Sequence, residues 1–352
     1  MTDFSDRLLA WYDAHGRHDL PWSIPRTAYR VWISEIMLQQ TQVATVIPFF
    51  QRFMRHFPNI ATLAAAPLDE VLHHWSGLGY YARARNLHRA AQSIVMNHQG
   101  EFPRAHLAAL DLPGIGRSTA GAVLALAYDQ HQPILDGNVK RVLARHHAIE
   151  GWPNLPAIAH KLWTLAETHT PLSRVADYTQ AIMDLGATVC TRTRPRCAEC
   201  PVAGTCGARQ TQRVAEIPSP RPRRVLPRRQ TTFLVIEDRA GAWLLQRRPP
   251  AGIWGGLWSF PEITNAAQSV EWCLAHEFEP LVDFSSLATI EHTFTHFHLS
   301  ITPVYTKVRE RAARCMDSDQ WLWYNTAAPA QIGLAKPVGE LIAELARVAK
   351  GM

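Results

Sequence analysis

Two acidic residues stand where a carboxylate can do chemistry. Glu35 lies in YRVWISEIMLQQTQV, a helical stretch whose neighbours Val31, Trp32, Ile36 and Leu38 are apolar. A carboxylate in that company is either turned to solvent or buried, and burial would raise its pKa. Asp136 lies in PILDGNVKRVLAR, after an apolar pair and before a helix beginning near Asn138. At that boundary an Asp is first of all a helix N-cap, and capping does not exclude a chemical role. Two carboxylates can divide acid and anion roles when their surroundings push their pKa values apart. A third constellation is built from sulfur. Cys190, Cys197, Cys200 and Cys206 follow the spacing C-x6-C-x2-C-x5-C, while Cys273 and Cys315 lie far away. Four thiolates so close in sequence can wrap one zinc ion or the corners of a [4Fe–4S] cube. Zinc sites usually show two C-x2-C knuckles, and this cluster has one, so the spacing leans towards iron–sulfur without deciding it.

The elements that must position these groups are helical as far as about residue 190. Apolar periodicity predicts helices over 30–39, 43–57, 68–74, 82–98, 119–128 and 157–168, with Pro and Gly in the gaps. Leu112–Tyr128 reads LPGIGRSTAGAVLALAY: a tight turn that opens a helix. Gly114 and Gly116 can take positive φ there, and the amides of the helix start can receive a phosphate oxygen. Residues 213–229, RVAEIPSPRPRRVLPRR, have no period that could build a core and read as an extended linker, semi-rigid where proline is dense. Beyond it TTFLVIED, WLLQRR and HFHLSITPVYTKV carry the alternation and β-branched enrichment of strands. The expected fold is multidomain: an all-α domain over 1–212 that includes the cysteine loop at 190–206, a linker over 213–230, and an α+β domain over 231–352.

The 352 residues suit two domains, and 47% hydrophobic with 19% charged residues is the balance of a globular protein that can bury a core. A net charge of +6 and a pI near 9.1 favour a polyanionic partner only modestly. Arginine placement says more. TRTRPR puts Arg192, Arg194 and Arg196 between the first two cysteines of the cluster, where they could meet a phosphate backbone or form a solvated basic surface. MTDFSDRLLAWYDAHG is acidic near its start and lacks a long apolar run, which argues against a secretory signal, and no segment reaches the roughly 18 apolar residues of a membrane span. The expectation is a monomeric, cytoplasmic, DNA-accessible protein with no membrane association.

Several of these motifs carry a family resemblance that covers nearly the whole chain. The cysteine spacing at the end of a helical domain resembles the [4Fe–4S] cluster loop of the endonuclease III/MutY glycosylases. L-P-G-x-G-x-x-T-A between two helices resembles their helix–hairpin–helix element, which grips the DNA backbone without reading sequence; Gly114, Gly116 and Ser118 fall in it. S-E-x-M-L-Q-Q-T-Q-V around Glu35 closely resembles the catalytic segment of the MutY family of adenine DNA glycosylases. By that match Glu35 would protonate adenine N7 and Asp136 would stabilise an oxocarbenium-like sugar or a short-lived sugar adduct. Breaking a deoxyribosyl C–N bond needs this pairing of an acid at the base with an anion at the sugar.

The same resemblance assigns a wedge into the base stack to Gln40 and Tyr80, the latter in GLGYYARARNLHRAA, and lines an adenine pocket with Trp22 and Asp184. Bifunctional relatives carry lysine in the hairpin motif, where its amine forms a Schiff base with the sugar. Here Ser118 stands at that position, which implies a monofunctional enzyme; Lys140 is kept only as a source of an adventitious imine. GIWGGLWSFPEI resembles a Nudix domain, yet no R-E-x2-E-E follows it, so recognition is implied instead of hydrolysis. HTFTHFHLS matches a loop that contacts 8-oxoguanine, placing Phe294, Thr295 and His296 there, with Thr295 where the family usually has Ser. The implied partner is double-stranded DNA with A:8-oxoguanine or A:G mispairs. The alternative is an endonuclease III-like glycosylase and lyase for oxidised pyrimidines, which Ser118 and the extra domain oppose.

Overall fold

A computed structural model describes residues 3–222, 225–309 and 320–350, so Cys315 and positions 223–224 of the expected linker lie outside the described residues. The chain divides into two compact units, Met1–Ala65 with Asn86–Arg223, and Ala66–Arg85 with Arg224–Met352. Helices run in chain order as α1 (Phe4–His15), α2 (Ala28–Leu38), α3 (Val43–His56), α4 (Ile60–Ala65), α5 (Leu68–Trp75), α6 (Ala82–Asn97), α7 (His106–Leu110), α8 (Arg117–Tyr128), α9 (Gly137–His146), α10 (Pro156–His169) and α11 (Val175–Asp184). All six helices expected from periodicity form, with ends shifted by at most two residues. The expected helices do not include α1, α4, α7 or α11; of these α4 and α7, with six and five residues, are too short to show a repeat.

Local chemistry explains these helices. Asp3 and Asp6 form a capping box at the start of α1. Pro156 opens α10 at a position where its missing N–H costs nothing. In α3 only Val46, Phe50 and Phe53 are buried, one stripe of an amphipathic helix. α8 differs: Ala120 through Leu126 are buried without interruption, so small residues let it run through the interior of the helical unit.

The expected linker is folded at its start. Ile217 is buried in the helical core with Val214 packed against it, and the N–H groups of Glu216 and Ile217 donate to the carbonyl of Arg213. Two apolar residues three apart suffice to dock a turn, a signal too short for periodicity to carry.

The second unit holds a mixed sheet of β1 (Arg228–Glu237), β2 (Trp243–Arg247), β3 (Trp258–Ser259), β4 (Glu262–Ile263), β5 (Glu279–Pro280), β6 (Ser285–Ser286), β7 (Ile290–Thr293), β8 (His298–Arg309) and β9 (Trp321–Tyr324). β1 and β8 pair in parallel from Arg228↔His298 to Glu237↔Lys307, and the other ladders are antiparallel. The parallel ladder draws Arg228–Gln230 into the sheet, so strand structure starts three residues before the expected Thr231. Short helices α12 (Gly207–Gln210) and α13 (Ser269–Ala275) precede α14 (Lys336–Lys350).

Candidate active site

Thr27 caps α2 by accepting from the Arg30 N–H at 3.3 Å. The helix then buries Val31, Trp32, Ile33, Ile36 and Met37 and carries Glu35, half-buried, onto the wall of a cleft of about 890 Å³. Asp136 reaches the same cleft by another route. Gly121 of α8 leaves room for the Pro133 carbonyl, which stands 2.7 Å from where a Cβ would be. Ser118 Oγ accepts the Leu135 N–H at 3.0 Å. These contacts hold 133–135 along α8 and deliver Asp136 to the start of α9. There it is the N-cap expected from sequence, accepting from the Val139 N–H at 2.7 Å and from Asn138 Nδ2 at 3.3 Å.

The two carboxyls share a cleft and both are raised by burial, but their hydrogen-bond partners differ. Burial first, and the charge of Asp136 second, push the Glu35 pKa up to about 8. Burial also raises Asp136, but the N–H groups of Val139 and Asn138 and the guanidinium of Arg141 oppose that rise. Glu35 is thus held towards its neutral form, while Asp136 is surrounded by donors that favour its charge.

Arg141 ties this site to the cysteine loop. Its Nε donates to the Cys190 carbonyl at 2.7 Å, and its Nη2 donates to Asn138 Oδ1 at 2.7 Å and to the Gly186 carbonyl at 2.6 Å. A Cβ on Gly186 would sit 2.6 Å from Asn138 Cβ, so glycine permits the π-helical turn Leu185–Val189 to abut α9.

The lining of the cleft also includes Arg17, Leu20, Trp22, Gln180 and Met183. Trp22 is among the residues that line it. Asp184 is not. It is 1% exposed, absent from the cleft lining, and its oxygens are taken. Arg17 donates its backbone N–H to Oδ2 at 2.8 Å and Nε and Nη2 to Oδ1 at 3.0 and 2.7 Å; Gln180 Nε2 adds a bond to Oδ1 at 2.7 Å. A buried carboxylate needs such partners, so Asp184 holds Arg17 and Gln180 in place, and those two face the cleft. Sequence reasoning names neither. The one available signal is that Gln180 and Asp184 lie four apart on α11, on one face.

Gln40, exposed with φ of 59°, stands on the cleft wall just past α2. In the hairpin motif Gly114 has φ of 78°, and a Cβ there would meet Asn86 Cβ at 2.6 Å, so the glycine is required twice over. Gly116 departs from expectation, since its φ of −97° is open to any residue. It is the N-cap of α8, where an added Cβ would meet nothing within 4 Å, which leaves the first N–H groups of that helix approachable.

Cys190, Cys197, Cys200 and Cys206 line one cavity with Val142, Leu185, Val189 and Val202. Arg145, 3% exposed, donates to Cys190 Sγ at 3.4 Å and to the carbonyls of Thr191, Arg192 and Ile217 at 2.7, 3.1 and 2.8 Å. Among the described residues, no three of these sulfurs form a set lying mutually within 4.8 Å. Burial pushes the Cys200 thiol up to about 11, so a cation would have to supply the charge that holds it as thiolate. Arg192, Arg194 and Arg196 are exposed; Arg192 also lines the cleft, and Arg196 pairs with Glu199 at 2.8 Å.

In the second unit, Tyr80 is 46% exposed with φ of 49°. The turn between β7 and β8 is closed by the Phe294 N–H donating to the Phe297 carbonyl at 2.9 Å. Phe294 packs on Trp254 and Phe297, with ring centroids at 5.4 and 4.5 Å, while Thr295 and His296 are exposed at the tip.

Two families match separate parts of the chain. Residues 33–168 match the family described as HhH-GPD superfamily base excision DNA repair protein, and residues 232–344 match the NUDIX domain family. An adenine DNA glycosylase of Buchnera aphidicola (subsp. Acyrthosiphon pisum, strain APS) is 38% identical over 96% of this chain and 96% of its own length. The adenine DNA glycosylase of Mus musculus is 36% identical over 95% of this chain and 76% of its own. Among solved structures, a thermostable thymine-DNA glycosylase superposes with a TM-score of 0.54 at 28% identity, covering 59% of this chain and 95% of that one. An endonuclease III bound to DNA shares the fold at a TM-score of 0.51 and 20% identity, covering 59% of this chain and 94% of that one.

Proposed function

This chain belongs to the adenine DNA glycosylase family, and from that premise we propose that its cleft hydrolyses the N-glycosidic bond of adenine mispaired with 8-oxoguanine or guanine in duplex DNA. The observation that carries the mechanism is that Glu35 and Asp136 share one cleft, burial raising both, while donors that favour the charged form offset the rise at Asp136 alone. Neutral Glu35 gives its proton to adenine N7, and the electron pair of the C1′–N9 bond leaves with the base. The Asp136 carboxylate stabilises the positive sugar, or adds to it briefly. Water then bonds to C1′ and returns a proton to Glu35, which restores the starting state.

Trp22 forms a wall for the base, with Arg17 and Gln180, braced by Asp184, supplying polar contacts. The first amides of α8 in the Gly114–Ser118 hairpin take the backbone phosphate. Gln40 and Tyr80 enter the base stack, and Phe294, Thr295 and His296 read the opposite base. In this account the helical unit, extended through the docked turn at Ile217, is the glycosylase domain, the sheet-bearing C-terminal unit is the recognition domain, and the chain works as a monomer. Among the described residues no helix is long and apolar enough to cross a membrane.

The four cysteines fit a [4Fe–4S] cluster better than one zinc ion. Tetrahedral Zn–S bonds of ~2.3 Å set sulfurs about 3.8 Å apart, tighter than the arrangement here. When bound, the cluster supplies a rigid cross-link for the Arg192–Arg196 loop. Arg145 and Arg141 fix that loop to α9.

Ser118 decides the fate of the strand once the base is lost. Its hydroxyl cannot form an imine and is engaged with Leu135, and Lys140 Nζ is held by Asn154 Oδ1 at 2.6 Å. The enzyme should therefore leave an abasic site with the strand intact. Duplexes with A opposite 8-oxoguanine should break mainly after hot alkali, and duplexes with oxidised pyrimidines should survive both treatments. Efficient breakage without alkali, or release of oxidised pyrimidines, would instead support the glycosylase/lyase reading.

A further inference from the structure

Residues 66–85 are encoded inside the helical run, yet in space they belong to the C-terminal unit. A series of contacts fastens them there. At the start of α5, Asp69 forms an ion pair with Arg247 at the end of β2. Leu72 lies so close to Gly333 that a Cβ on the glycine would stand 2.6 Å from the leucine's own Cβ. Tyr81 Oη donates to the Leu334 carbonyl at 3.0 Å, and Arg85 Nη1 donates to the Gly255 carbonyl at 2.5 Å. The receiving strip is itself anchored, because the Trp258 N–H of β3 donates to the Gly333 carbonyl at 2.9 Å.

Between these anchors lies a short loop under backbone strain. Gly77, Gly79 and Tyr80 have φ of 102°, 72° and 49°, and for a tyrosine the left-handed region is costly. Inside the loop the Gly79 carbonyl accepts from Trp75 Nε1 at 3.1 Å and from Arg83 Nη2 at 3.3 Å, and the Arg83 guanidinium sits over the Tyr80 ring at 5.5 Å. The side chain that results is aromatic, oriented and half-exposed. Tyr81 and Arg85, which follow it in the chain on either side of Arg83, are fastened to Leu334 and Gly255.

We propose that the C-terminal unit is the mount for the Tyr80 wedge, with Tyr81 and Arg85 as positioning residues that hold the wedge loop against the Gly333–Leu334 strip and the Gly255–Gly256 turn. The proposal rests on the reading of Tyr80 as a residue that enters the base stack. Parting two stacked base pairs costs a few kcal/mol, and a side chain held in its working geometry meets that cost without also being ordered at the moment of insertion. The C-terminal unit then has two tasks, to contact the opposite base and to hold the wedge.

The test uses the full chain and two duplexes: one with A opposite 8-oxoguanine for single-turnover rates, and one with a non-hydrolysable adenosine analogue opposite 8-oxoguanine and 2-aminopurine next to the lesion as a fluorescent reporter of unstacking. The pair Tyr81→Phe/Arg85→Met should lose most of the unstacking signal and slow single-turnover adenine release by about tenfold. In a Tyr80→Ala background the same pair should change the rate by less than about twofold, because both act through one side chain. Arg85→Lys, which keeps a donor for Gly255, should recover most of the rate. Tyr81→Phe alone removes one oxygen and should shift the signal in the same direction, which keeps the test readable if the pair melts early. Equal losses in both backgrounds, or an unchanged signal in an active wild-type comparison, overturn the mount. A neutral Tyr80→Ala overturns it together with the wedge, whereas a wild-type chain that releases no adenine overturns the proposed function.

Discussion

Glu35→Gln should slow adenine release by on the order of 10³-fold, within the range for loss of a positioned general acid, while binding to mispaired duplex persists. The same substitution should stabilise the protein. Burial and Asp136 raise the Glu35 pKa from 4.5 to about 8. The folded state therefore resists ionisation that the unfolded chain accepts. That penalty is absent below pH 4.5, grows as pH rises, and is fully present above about 8; at pH 7 it is on the order of 3 kcal/mol. Glutamine cannot ionise and escapes it. Thermal unfolding of Glu35→Gln should thus exceed wild type at pH 8 and converge with it near pH 5. Retained turnover, or a variant less stable than wild type at pH 8, would remove Glu35 from the acid role.

The second large effect is expected at Asp136, where capping and chemistry can be separated. Asparagine caps helices as well as aspartate does and can accept the Val139 N–H that Asp136 now accepts at 2.7 Å. Asp136→Asn should therefore fold with a stability change of no more than about 0.5 kcal/mol. Its single-turnover rate should fall by roughly 10²–10³-fold through loss of charge beside the developing cation. Asp136→Ala should lose the same rate and about 1 kcal/mol besides. If asparagine restores the rate along with the stability, Asp136 is a cap and nothing more.

Much of this site was legible in the sequence because its signals are local. A helix period, an Asp before GNVKRV, and four cysteines within one loop are short-range patterns: the helices form, Asp136 caps α9, and the four cysteines line one cavity. What escaped depends on contacts between distant segments. Nothing in RHDLPW marks Arg17 as a partner of Asp184, 167 residues away. Only the fold shows that the buried Asp184 braces the cleft without lining it. The folded start of the expected linker, docked through Val214 and Ile217, escaped because proline and arginine dominate its composition. The placement of 66–85 with the C-terminal unit is likewise invisible to periodicity, which reports that α5 exists and not what it packs against. Gly116 shows the opposite error: a glycine read as conformationally necessary has ordinary φ, while Gly114 two residues earlier does not.

The central claim is that burial keeps Glu35 protonated at neutral pH so that it can deliver a proton to adenine. The pH dependence of single-turnover adenine release from an A:8-oxoguanine duplex tests this most directly. With a free-enzyme pKa of about 8 for Glu35, the rate should be level around neutrality and fall tenfold per pH unit above about 8. On the acid side it should decline as Asp136, whose pKa burial also raises, becomes protonated. A rate that climbs with pH through 8 would mean that the working form of the cleft has Glu35 ionised, and would contradict the account.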